Sequence, residues 1–165
     1  MDTIACSSVS PTDTKQERYS LVLRQIESLI AGETDETAVL ANVSAALATA
    51  FPEWLWTGFY LVRNGELLLG PFQGPVACYH IQKGRGVCGT AWERAATIVV
   101  PDVEEFPGHI ACSSLSRSEI VVPMFNRVGE IVGVLDIDSP EIGTFDHVDK
   151  ANLEQLVEVL KRTIY

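Results

Sequence analysis

The sequence has no apolar run near the roughly 20 residues that a bilayer crossing takes, so no membrane span is expected. Its first residues, "MDTIACSSVS", carry neither a basic start nor an apolar stretch, and no secretory signal is expected. Basic residues are the minority, with 12 Lys and Arg against 22 Asp and Glu. Phosphate contacts need a basic patch, which argues against nucleic acid and anionic membranes as partners. Metal-ligand spacings are missing too. There is no C-x2-C or H-x3-H pair, and cysteines at 78, 88 and 112 fit no common zinc pattern, so no metal is expected. Cysteine itself is sparse, at four. Without a secretory signal these four point to a reducing compartment, the cytoplasm, where a disulfide would be transient and catalytic.

What is present suits one soluble domain: 165 residues, 47% hydrophobic and 21% charged, enough to bury a sizeable core. Residues 1–13 are small and polar and are expected to form a disordered tail that includes Cys6. Residues 14–165 are expected to form the folded domain. From about Thr14, Tyr19, Val22, Leu23, Ile26 and Ile30 recur at helical spacing, with Gly32 as a stop. Asp35 can cap a second helix that Pro52 ends. "WLWTGFYLV" then reads as a strand, and Asn64-Gly65 is a strong hairpin signal leading to a partner strand from Glu66 to Phe72. "VACYHI" reads as a third strand, followed by a short helix from about Val87 and the strand "TIVV". Residues 101–117 lack periodicity, and loops of that length in compact domains are usually functional or disordered. "EIVVPMF" and "EIVGVLDID" form another hairpin, and an amphipathic helix from about Asp146 closes the chain. The expected fold is α+β: a mostly antiparallel six-stranded sheet, with three helices on one face and a loop-covered pocket on the other.

Several residues could carry chemistry on that second face. Cys112 lies in a loop among Ser113, Ser114 and Ser116, whereas cysteine is usually buried as a small hydrophobe. Loop N–H groups could stabilise its thiolate. Cys78 alternates like a core residue, and taken alone the three cysteines have no necessary relation. Glu119 opens an otherwise apolar strand. Asp136 and Asp138 sit two apart, so their carboxylates share a side. Solvated strand ends would explain all three. Were they to converge, repulsion and burial would raise at least one pKa and leave a proton donor at neutral pH. Trp56, Gly58 and Tyr60 alternate onto one side, and a strand glycine between two rings often marks a close approach by something else.

"GFYLVRNGELLLGPFQGPVACYHIQKGRGVCGTAWERAATIVVPDV", "HIACSSLSRSEIVVPM" and "GVLDIDS" together resemble the free methionine-R-sulfoxide reductases, which are GAF-domain enzymes acting on the free amino acid. The resemblance spans about residues 14–163. It implies a GAF-like catalytic domain with Cys112 as nucleophile, Cys78 as recycling cysteine and Cys88 as a second candidate for that role. It implies Glu119, Asp136 and Asp138 around the sulfoxide oxygen, with Glu119 as proton donor, and aromatic walls from Trp56 and Tyr60. The backbone at Ile110 and Ala111 is implied to bind the substrate carboxylate. No bound cofactor is implied, only an external dithiol of the thioredoxin type, and a homodimer. On this reading Cys78 sits mid-strand against the pocket floor, while Cys88 reaches the pocket only if its Gly-rich loop swings inwards. His109 is a minor candidate helper for the thiolate. The competing expectations are a GAF module that senses a small ligand without turnover, for whose usual output domain the chain has no room, and a thiol redox switch without a substrate.

Overall fold

The structure, a computed structural model, describes residues 14–109 and 112–165. The expected tail with Cys6, and the pair Ile110 and Ala111, lie outside the described residues. Helix α1 spans Lys15–Ile30 and starts at Thr14, whose hydroxyl accepts from the Glu17 N–H while the Glu17 carboxylate accepts from the Thr14 N–H. Gly32, with φ +81°, follows its end. Helix α2, Glu36–Ala50, is capped by the Asp35 carboxylate.

Six strands follow: β1 Trp56–Arg63, β2 Glu66–Gln73, β3 His80–Ile81, β4 Ile98–Val100, β5 Ser118–Phe125 and β6 Ile131–Ser139. Helix α3, Gly86–Arg94, lies between β3 and β4, and α4, His147–Ile164, ends the chain. The strand order is β3-β2-β1-β6-β5-β4, and every pairing is antiparallel. Asn64 and Gly65 both take positive φ, as the tight β1–β2 turn requires.

Alternation along the strands divides two hydrophobic layers. Phe59, Leu61, Ile120, Val122, Leu135 and Ile137 face α1, α2 and α4, which bury Tyr19, Ile26, Leu40, Leu47, Leu156 and Leu160 against them. Trp56, Tyr60, Val121 and Val134 face the other way, towards Val87, Cys88, Ala91 and Trp92 of α3. The expected architecture is the observed one.

One element differs. "VACYHI" is not a six-residue strand, since only His80 and Ile81 pair, against Leu68 and Leu67. Residues 74–79 form a loop in which two carbonyls are taken by aromatic side chains, while Tyr79 O accepts from the Leu69 N–H of β2 at 2.9 Å. Trp56 Nε1–H donates to Pro75 O at 3.1 Å, and Tyr60 O–H donates to Cys78 O at 3.0 Å. Cys78 is therefore a loop residue and not a mid-strand one.

Candidate functional site

On the α3 side of the sheet a cavity, open to solvent, lies between loop 74–79, the start of α3 and the loop after β4. Its floor is made by strands. The register pairs Glu119 with Asp138, Val121 with Asp136, and Gly58 with Asp136, so the three acidic side chains stand on neighbouring strands of one face. Trp56 and Tyr60 on β1 form the aromatic wall, with ring centroids 5.8 Å apart, and Phe72 stacks on Trp56 at 5.1 Å. Phe72 also explains Gly58. A Cβ on Gly58 would collide with Phe72 and meet Trp56 Cη2 at 2.8 Å, so the neighbour that needs this glycine is a side chain of the protein, not a ligand.

Two half-buried loop cysteines, Cys78 and Cys112, are joined in a disulfide with Cα atoms 5.7 Å apart. Cys112 lines the cavity, and Cys78 lies directly after its wall residues Val76 and Ala77. Cys88 stands in the first turn of α3 and lines the cavity floor, so no inward swing of the preceding loop is needed. Its thiol is buried and points at Glu119 Oε1 at 3.9 Å.

The electrostatics follow from burial. Glu119 and Asp136 are each 6% exposed. Burial pushes the Glu119 carboxyl well above the usual range, and the neighbouring Asp136 and Asp138 add to it. Asp138 is raised for the same reasons, against a hydrogen bond that Ser116 Oγ donates to it at 2.6 Å. Burial also raises Asp136, while hydrogen bonds from Glu119 and Cys88 oppose the rise. Three carboxyl groups this close oppose one another's ionisation, which favours a proton held among them. Burial, then the same carboxylates, drives the Cys88 thiol far up as well, which leaves it un-ionised. His109 Nε2 stands 3.8 Å from Glu119 Oε2, but burial lowers its pKa, so it is not a resident cation beside Cys112.

Trp56, Tyr60, Glu119, Asp136 and Asp138, chosen from sequence, thus meet in one cavity with Cys88 and Cys112. Ile110 and Ala111 lie outside the described residues. Reasoning from sequence missed Arg85, an exposed residue on the cavity rim that precedes α3, and it set Ser116 beside Cys112 without seeing that its hydroxyl donates to Asp138. "QKGRG" carried the signal for Arg85, because a Gly-rich turn entering a helix that has no side-chain cap presents N–H groups and a cation to an anion.

This sheet with its helices is that of a GAF domain, and the GAF family model matches residues 33–164. The "GAF domain-containing protein A" of Dictyostelium discoideum is 55% identical over 148 residues, covering 89% of this chain and 92% of that protein. The free methionine-R-sulfoxide reductase of Escherichia coli is 47% identical over 150 residues, covering 91% and 90%. A structure of the free methionine-R-sulfoxide reductase from Neisseria meningitidis in complex with its substrate superposes with a TM-score of 0.90 at 51% identity, covering 95% and 94%. The chain belongs to the free methionine-R-sulfoxide reductase family.

Proposed function

We propose that this protein reduces free L-methionine-(R)-S-oxide to L-methionine by thiol chemistry, with Cys112 as nucleophile. One observation carries the reading: a half-buried loop cysteine with a disulfide partner shares a cavity with a buried carboxyl cluster, where burial raises the Glu119 pKa. The Cys112 thiolate attacks the sulfoxide sulfur while Glu119 gives its proton to the oxygen. Oxygen passes to Cys112 as a sulfenic acid and methionine leaves. The Cys78 thiol then displaces the hydroxyl as water and closes the disulfide, which an external dithiol of the thioredoxin type reopens by exchange. Trp56 and Tyr60 pack against the apolar part of the substrate, and Asp136 and Asp138 stand with Glu119 around the sulfoxide oxygen. The backbone at Ile110 and Ala111 and the rim around Arg85 receive its carboxylate. The need for such a reductant suits the cytoplasm, and a homodimer is part of the same reading.

The test is turnover. Reduced protein is incubated with dithiothreitol and each diastereomer of methionine sulfoxide, and methionine is measured. Only the R form should react, and Cys112→Ser should abolish the reaction with the fold intact, because a hydroxyl is a far poorer nucleophile towards sulfur. Blocking the amino group as N-acetyl strands a buried polar contact and should suppress the rate. Loss of thiols without methionine would instead identify a redox switch.

A further inference from the structure

Cys88 takes no step in that cycle, yet it is 4% exposed and stands against the carboxyl cluster. Its Sγ, a Glu119 carboxylate oxygen and an Asp136 carboxylate oxygen all lie within 4.8 Å of one another. Asp136 Oδ1 is buried and has no hydrogen-bond partner among the described residues, although Asp136 borders the cavity. A buried carboxylate oxygen without a donor has given up its water for nothing in return, unless something that enters the cavity meets it.

We propose that Cys88, Glu119 and Asp136 form a site for one thiophilic divalent cation of the Zn2+ class, and that this cation excludes the sulfoxide from the cavity floor. One thiolate and two carboxylate oxygens are a zinc-type donor set, with the fourth position left to water on the cavity side. Metal bonds of about 2.0–2.3 Å put tetrahedral donors roughly 3.3–3.8 Å apart. The Cys88 Sγ to Glu119 Oε1 separation of 3.9 Å therefore needs only a small closure. Mg2+ and Ca2+ do not fit, because they seek six or more oxygens and shun thiolate. On binding, the cation displaces the thiol proton of Cys88 and any proton the two carboxyl groups hold. It thereby removes the acid as well as filling the space where the oxygen would sit. The exclusion clause rests on the function proposed above, whereas the metal site does not.

The disulfide makes the test clean, because with Cys78 and Cys112 joined, Cys88 is the free thiol among the described residues. Oxidised Cys6→Ser protein, free of chelating reductant, is titrated with Cd2+ as a spectroscopic stand-in, and the ultraviolet thiolate-to-metal band is followed. One equivalent should bind, and Zn2+ should displace it. The band should vanish in Cys88→Ser. Affinity should fall at least about tenfold in Asp136→Asn and in Glu119→Gln, since losing even a supporting partner costs that much. Free methionine sulfoxide should weaken Cd2+ binding in proportion to its concentration. No band, or a band whose strength ignores Asp136 and Glu119, overturns the site, the latter leaving a lone thiol. Simultaneous binding of Cd2+ and sulfoxide overturns the exclusion. Cadmium binding as described in a protein that reduces no sulfoxide would sink the proposed function and leave the site standing.

Discussion

Glu119 carries opposite consequences for stability and for chemistry. Its folded-state pKa is raised by burial and by Asp136 and Asp138, whereas the unfolded chain ionises near the ordinary value of about 4.3. Below that value both states hold the proton and nothing is lost. Above it the unfolded state gains by ionising and the folded state does not, so stability falls as pH rises towards the folded pKa. Glu119→Gln cannot ionise in either state. It should therefore raise Tm at pH 7, by a margin that shrinks as pH drops to about 4, and lower kcat by roughly 10²–10⁴ through loss of the acid. A variant that keeps its rate would remove Glu119 from the proton-donor role. At this scale the sequence was readable wherever strict alternation governs: Glu119, Asp136, Asp138, Trp56 and Tyr60 stand on the expected face. It was unreadable for Cys78, whose place depends on two side-chain hydrogen bonds from β1 to loop carbonyls. Alternation cannot reveal those.

Among the elements, the β1–β2 hairpin was announced by Asn64-Gly65, and the helix starts at Asp35 and Asp146 by their capping side chains. The short β3 was not, because an edge strand has one neighbour and nothing in "VACYHI" says how far pairing runs. Gly58 belongs to this scale, since its reason lies across the hairpin. The Gly58–Phe72 pair sits beside a register shift in β1. Gly58→Ala should destabilise the domain by about 1–3 kcal/mol, the usual penalty of overpacking. Adding Phe72→Ala should not restore it, because the colliding atoms are the Cβ and backbone that alanine retains. Urea midpoints of the two variants measure both claims, and a Gly58→Ala protein as stable as the parent would mean the strands can part at no cost. The same substitution moves the Trp56 wall, so KM for the sulfoxide should rise with it.

The whole molecule separates a core covered by α1, α2 and α4 from a face covered by α3 and loops, and the Cys78–Cys112 disulfide joins two loops of that second face. Cys78 and Cys112 are 34 residues apart, and closing a loop of that size restricts the unfolded chain by about 4 kcal/mol on the chain-entropy account. At about 2–4 °C per kcal/mol for a domain of this size, reduction should lower Tm by roughly 10 °C. Cys78→Ser should already melt at the reduced value and ignore dithiothreitol, whereas Cys88→Ser should keep the full redox-dependent shift. The same variants divide the catalytic cycle. Cys78→Ser should make one methionine per active site and stop when a thioredoxin-type protein is the reductant, because Cys112 is left without its partner. Cys88→Ser should continue to cycle, at a rate reduced only through the altered lining of the cavity, because Cys88 itself takes no step. Its thiol is held un-ionised by burial and by the carboxylates above it, and a thiol in that state is a poor attacker of a sulfenic acid. Mass spectrometry after one oxidising turnover should find the peptide pair linking Cys78 to Cys112. A dominant Cys88–Cys112 link, with Cys78→Ser still turning over and still losing stability on reduction, would reverse the assignment and make the floor thiol the recycling one.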